Sequence, residues 1–293
     1  MSIGTLAENP RTKAATSRRW HVPWPLLIIA VLLSVAWFGP RRADLGPAAG
    51  SHLHGESMLT GEVSEKRFRV ATFNIHRGKG TDDRFDLQRT AKTLETIGAQ
   101  LVCLNEVSGG GIWKSENQAE RLGELLKQAW LFTPAEQRWW HVRFGNALLS
   151  SMPVVGWQQI PLVRGPGKSP RNAVLTIATH QGRRINVLLT HIDRSDDRAR
   201  AAQLRTVAEL FLSLEEPAIL MGDMNSRRTD PEIKRLLKHP GVKDPFEQKY
   251  GSQTPPSIDW ILVRGLKCLD AGMVDRGASD HPMLWAELEF VEP

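Results

Sequence analysis

The sequence predicts an α/β fold: a four-layer sandwich, two mixed sheets packed together with helices outside. Three observations predict it. Apolar runs of strand length alternate with amphipathic, capped helical stretches. The alternation runs along the whole domain, which suits sheets covered by helices. The apolar runs also end in polar residues rather than in plain turns, so polarity collects at the mouths of the strands. The chain has 293 residues, room for one α/β domain and an appendage.

The appendage comes first. Residues 1–50 carry Arg11, Lys13, Arg18, Arg19, Arg41 and Arg42 against Glu8 and Asp44, which leaves only +2 of the net +6 for residues 51–293. From Trp20 to Pro40 there is no Asp, Glu, Lys or Arg, and Trp20, Trp24 and Trp37 stand near the ends like interfacial anchors. Residues 22–39 therefore predict a membrane span, about 27 Å long as a helix. Arg41-Arg42 behind it favours an uncleaved anchor over a signal peptide, and the basic prefix 1–21 favours a cytoplasmic N-terminus. The expected location is a bacterial inner membrane, single-pass, with the catalytic domain on the periplasmic face. Residues 40–65, rich in Gly, Ala and Ser, read as a linker, and 66–293 as the catalytic domain.

Within that domain residues 68–74 form a strand that runs into Asn74. A helix over 86–97 follows, with Gly98 behind it. The next strand, 101–104, leads into Asn105 and Glu106, and Cys103 alternates into its core face. Residues 116–129 read as a helix closed by an aromatic region of Trp130, Phe132, Trp139 and Trp140, a packing cluster or a wall facing substrate. The stretches 145–151, 154–160, 172–179 and 184–191 alternate like a meander and present Asn146, Arg171 and His191 at their ends. Residues 196–214 form the longest helix, with Leu204, Val207, Ala208, Phe211 and Leu214 as its apolar stripe.

The run Ala218-Ile219-Leu220-Met221 then reads as a buried strand that turns at Gly222. Asp223 and Asn225 stand two residues apart behind it, so their side chains point the same way. A carboxylate and an amide so placed can hold a phosphate oxygen and orient a water; alone, they fit an Asx turn equally well. Asp259 opens a strand over 258–263, and Asp280-His281 opens the last, 283–290. A gathering of such polar ends on one rim is what a hydrolytic site needs.

Seven segments in order, Thr72-Phe73-Asn74, Leu104-Asn105-Glu106-Val107, residues 145–150, Thr190-His191, residues 222–225, residues 258–261 and residues 279–282, resemble the endonuclease/exonuclease/phosphatase (DNase I-like) superfamily, with 72–80 most similar to its small bacterial members. The resemblance covers roughly residues 66 to 291 and implies the duplicated sandwich, although no repeat is visible in the sequence. It implies a metal-dependent phosphoric ester hydrolase with Glu106 and Asp280 as ligands of Mg²⁺, or of Mn²⁺. Asn74, Asn146 and Arg171 would meet the phosphate, Arg171 being open to the plainer role of a solvated charge. Asp223 and Asn225 would position water, His191 would donate to the phosphate or the leaving oxygen, and His281 would pair with Asp259. Either His281 or Asp223 would be the base. The family commonly has Gln where Asn105 stands; alternation turns Asn105 away from Glu106, so little cost is expected. His76 stands where some members carry an acidic second ligand, which implies one principal metal site.

The near-neutral domain lacks the basic field of a tight duplex binder. With the predicted anchor, it favours a lipid headgroup or small phosphoester over nucleic acid as substrate. The alternatives are a cell-envelope endonuclease or exonuclease, and a catalytically silent binding module on the same fold.

Overall fold

The computed structural model describes residues 23–38, 42–43, 49–55, 65–110, 116–137, 143–166 and 169–291. The chain divides into two units, Met1–Gly39 and Pro40–Pro293. The predicted basic prefix 1–21, the aromatic wall at Trp139 and Trp140, and most of 40–65 lie outside the described residues.

In the first unit the apolar run forms α1, Trp24–Phe38, of 15 residues. That is about 22 Å of helix against a hydrocarbon core of about 30 Å. Pro23 and Pro25 confine its start, because proline fits only the first helical turn, and Gly39-Pro40 bound its end in sequence. Among the described residues no helix is long and apolar enough to cross a membrane. The expected span over 22–39 is corrected to this shorter helix, and the single-pass inner-membrane location falls with it.

The second unit holds two sheets. The seven-stranded sheet runs β1 (Arg42–Ala43), β5 (Ala129–Gln137), β6 (Phe144–Ser150), β4 (Leu101–Ser108), β3 (Arg67–Asn74), β13 (Met283–Phe290), β12 (Leu266–Val274). The six-stranded sheet runs β11 (Asp259–Arg264), β10 (Ala218–Asp223), β9 (Arg183–His191), β8 (Asn172–His180), β7 (Val154–Pro161), β2 (Ala49–Gly50). The expected meander is thus split: β6 pairs with β4 and β5 in one sheet, while β7, β8 and β9 belong to the other. Two short strands also fall inside 40–65, where β1 extends β5 and β2 extends β7.

Strand alternation sorts the side chains into layers. On β3, Phe68 and Val70 face a core between the sheets, while Ala71 and Phe73 face an outer core. On β10, Ile219 and Met221 face inward, and Ala218 and Leu220 face the opposite outer core. Two helices, α2 (Leu87–Glu95) and α3 (Gln118–Leu126), supply the first outer core through Leu87, Ala91, Leu94, Ala119 and Leu122. Leu204, Val207, Ala208 and Phe211 of α4 (Asp197–Ser213) join Ile233 and Leu236 of α5 (Pro231–Leu237) in the second. The Asp86 and Asp196 side chains accept from backbone N–H groups of their helices' first turns, satisfying donors that have no helical partner. The α/β/β/α order of the sequence prediction is therefore the observed one. Cys103 is fully buried between the sheets, and burial pushes its thiol up to about 12.

The helix expected over 116–129 ends at Leu126, where Lys127 turns left-handed at φ 54°, and Trp130 and Phe132 lie on β5 instead. A further helix, α6 (Pro245–Tyr250), packs beside β12; neither was anticipated.

Candidate active site

Register brings the site together. In the six-stranded sheet Asp223 ends β10 between His191 of the parallel β9 and Asp259 of the antiparallel β11. In the facing sheet Asn74 of β3 stands beside Asn105 of β4, and His281 lies just ahead of β13. The geometry depends on Gly222. Its φ is 138°, and a Cβ there would stand 1.9 Å from the Thr190 carbonyl oxygen on β9. Only glycine permits that approach. Gly222→Ala is expected to cost at least about 3 kcal/mol, measured by denaturant titration; an unchanged midpoint would show that the strands can part without loss.

Asp223 is almost fully buried and is the hub of the rim. Its Oδ1 accepts from the Asn225 backbone N–H at 2.8 Å, and its Oδ2 accepts from Asn74 Nδ2 at 3.0 Å. Asn225 adopts φ 46°, and its Nδ2 donates to the Ile192 carbonyl at 2.9 Å. Burial first, and the nearby Asp259 second, raise the Asp223 carboxyl to about 7.

His281 Nδ1 donates to Asp259 Oδ2 at 2.7 Å, and its Nε2 lies 4.0 Å from Asp223 Oδ2. Burial alone would lower this imidazole. The hydrogen bond to Asp259 and the charges of Asp259, Asp223 and Asp280 overcome it and carry His281 up to about 9. Asp259 is buried, with Oδ1 left without a protein partner.

His191 behaves oppositely. Complete burial and the adjacent Arg171 guanidinium hold its pKa well below the usual imidazole range. Arg171 Nη1 lies 3.0 Å from His191 Nδ1, and a guanidinium can only donate, so Nδ1 accepts. The ring proton therefore sits on Nε2, which is 3.5 Å from Asp223 Oδ2. Arg171 is thereby paired with a ring and is no solvated charge.

Glu106 departs from regular strand geometry. A bulge between Leu104 and Val107 interrupts the β4–β6 register, and Glu106 takes φ 56° there. Bulges re-aim side chains beside sites, and a non-glycine residue at positive φ needs a reason. Among the described residues the Glu106 carboxylate has no hydrogen bond or ion pair to the protein, while its charge is felt by Arg171. Asp280 reaches the turn after Asn74, its Oδ1 being 3.6 Å from His76 Nδ1. These carboxylates are hard oxygen donors of the kind Mg²⁺ and Mn²⁺ take. A second grouping, Asp223, Asp259 and His281, has ligand atoms within 4.8 Å of one another, but Asp259 and His281 are already bonded to each other.

Asn146, expected at the phosphate, is placed below the rim. Its Oδ1 accepts from Asn105 Nδ2 at 2.8 Å and its Nδ2 donates to Asn172 Oδ1 at 2.8 Å, so both ends of the amide are committed. Asn105 keeps the alternation that puts Leu101 and Cys103 between the sheets. It points between the sheets, where its Nδ2 donates to the Thr190 carbonyl at 3.0 Å and its Oδ1 accepts the Asp223 backbone N–H at 2.8 Å. Ser279, a residue missed from sequence, donates its hydroxyl to the Asn74 carbonyl at 2.6 Å. The Ser279-Asp280-His281 run held that signal, since a hydroxyl two residues ahead of a histidine can tie its turn to a neighbouring strand.

Fold and rim together define a phosphoric ester hydrolase of the two-sheet, metal-dependent class. The Endonuclease/Exonuclease/phosphatase family model matches residues 71–281, and the chain belongs to that family. It is 27% identical over 253 residues to the YbhP protein of Escherichia coli (strain K12), covering 78% of this chain and 99% of that one. Three solved structures share the fold. The endonuclease/exonuclease/phosphatase of Beutenbergia cavernae DSM 12333 superposes with a TM-score of 0.61 at 22% identity, over 77% of this chain and 72% of its own. The human Nocturnin catalytic domain with bound sulfate gives 0.60 at 16%, over 78% and 96%. The mannosyl-6-phosphatase of Bacteroides thetaiotaomicron VPI-5482 gives 0.58 at 18%, over 76% and 100%.

Proposed function

We propose that the chain hydrolyses a small phosphoester or a lipid-headgroup ester, with Asp223 as general base and His281 as a cation against the phosphate. The observation that carries this is the geometry of the rim: Asp259 holds His281 Nδ1 at 2.7 Å, which leaves His281 Nε2 4.0 Å and His191 Nε2 3.5 Å from the Asp223 Oδ2 between them. A group with a pKa of about 9 is protonated at neutral pH and cannot accept a proton, whereas one at about 7 is half ionised. Asp223 takes the proton of a water that attacks phosphorus in line. Asn225 Oδ1 and Asn74 hold that water and the carboxylate in register. The His281 Nε2–H faces a non-bridging oxygen, with Asp259 fixing the ring and stabilising its charge. His191, neutral with its proton on Nε2, donates toward the same centre, and Arg171 fixes its tautomer. Glu106 and Asp280 would hold Mg²⁺ or Mn²⁺, which supplies charge neutralisation on the phosphate oxygens.

The test is a parallel screen of the full chain on bis-p-nitrophenyl phosphate, plasmid DNA and phospholipid vesicles, with Mg²⁺, with Mn²⁺ and with EDTA. Metal-dependent hydrolysis that Asp223→Asn removes is the expected result; no hydrolysis of any ester would sink the proposal. The near-neutral domain also predicts a shallow salt dependence. An enzyme that neutralises several DNA phosphates loses affinity with a log–log slope of about −0.9 per contact. Here KM for DNA is expected to be high at low salt and nearly flat with added salt. A steep slope with tight binding would favour the nuclease alternative.

A further inference from the structure

A cavity of about 320 Å³ opens beside the rim, walled by Phe246, Pro255, Pro256, Trp260, Met273 and Leu284. Asp259 lines both this cavity and the shallower cleft that holds Asp280 and His281. Arg227 also lines both. The two loops that frame the cavity are those that follow Asn225 and precede Asp259, so the cavity and the rim share a wall.

The two arginines there differ. Arg228 is consumed by the protein: it is ion-paired with Asp244 and with Glu247 and lies 5.4 Å over the Trp260 ring. Arg227 is exposed; its carbonyl accepts the Asp230 N–H at 2.8 Å, but among the described residues its guanidinium has no hydrogen bond or ion pair. An unpaired guanidinium between an apolar hollow and a hydrolytic rim is complementary to a ligand with an anion at one end and an apolar body at the other. In the wall Arg228 and Asp244 satisfy each other, and the apolar side chains around them suit an apolar body.

We propose that this cavity takes the apolar ester group of the substrate, an alkyl chain or simple aryl ring, with Arg227 holding the phosphate at its mouth. This rests on the hydrolase reading of the rim and narrows the substrate to an amphiphilic phosphoester. The volume is near the low end of ligand pockets, roughly 300–1,000 Å³. It suits a short chain rather than a polymer.

The test uses the full chain and a series of p-nitrophenyl phosphodiesters whose second ester group is methyl, butyl, hexyl or thymidine-5′. kcat/KM is expected to rise by up to about fourfold per buried methylene until the cavity is full. The hexyl ester should then exceed the thymidine ester. Thr229→Trp at the mouth and Met273→Trp in the wall should each bring the hexyl-to-methyl ratio towards one. Arg227→Gln should raise KM across the series and leave its slope intact. A flat series in the parent enzyme, or a preference for thymidine, would overturn the proposal. If no ester is hydrolysed, the hydrolase reading itself fails, and calorimetry with hexylphosphonate against methylphosphonate still decides the cavity. Tighter hexyl binding that Thr229→Trp abolishes supports it; equal binding of the two overturns it.

Discussion

Asp223→Asn is expected to lower kcat by roughly 10²–10⁴, the usual worth of a positioned base. Substrate affinity should change far less, because the proton is taken only in the transition state. The amide keeps the shape that receives Asn74 Nδ2 and the Asn225 N–H, so the rim should stay folded. It also relieves a buried carboxyl whose pKa is already raised by burial and by Asp259, so the variant should be no less stable than the parent. Loss of rate without loss of stability separates catalysis from architecture. His281→Ala should show a smaller loss of the same kind, and Asp259→Asn a smaller one still. The His281–Asp259 double variant should be no worse than His281→Ala, because the carboxylate works through the ring. A folded, fully active Asp223→Asn enzyme would end its assignment as base.

Asn105→Leu is expected to act in the opposite way, on the fold more than on the chemistry alone. One amide joins the two sheets by bonding the Thr190 carbonyl, the Asp223 backbone N–H and Asn146 Oδ1. Asn146 passes the chain to Asn172, whose Nδ2 lies 3.4 Å from the Thr133 and Pro134 carbonyls of β5. Leucine nearly matches the volume but leaves three buried polar groups without partners. At about 1–3 kcal/mol each, the total is on the order of 3 kcal/mol or more, a large part of a typical domain's stability. Denaturant titration measures it. A variant within about 0.5 kcal/mol of the parent would mean that water or local shifts satisfy those groups.

The rim was legible because each polar residue follows an apolar run. The reader needs only a strand and its end to find Asn74, Glu106, His191, Asp223 and Asp259. Asn105 keeps the alternation of Leu101 and Cys103 and so faces the space between the sheets, but its partners Thr190 and Asp223 lie 85 and 118 positions away, where no local pattern reports them. Alternation fails only at the bulge, where Glu106 turns at positive φ. Asn146 looked like a cleft residue because its partners lie 41 and 26 positions away along the chain, where no local pattern reports them. Strand β5 was hidden behind its helix, since Pro134 and a second bulge spoil its alternation. Strand β12 is broken likewise between Cys268 and Asp270. At the amino end composition misled: the apolar run is long enough to suggest a span, but its prolines shorten the helix to 15 residues.

The pH dependence of kcat/KM tests the division of labour most directly. Asp223 must be ionised to accept a proton, so the rate should rise with pH through about 7. His281 must keep its proton to face the phosphate, so the rate should fall as pH rises through about 9. The parent enzyme is therefore expected to show a bell with its plateau between those limbs. His281→Ala should lose the upper limb and keep the lower one. A profile whose lower limb disappears in His281→Ala, or a parent rate that keeps climbing past pH 10, would make the histidine the base and contradict the assignment.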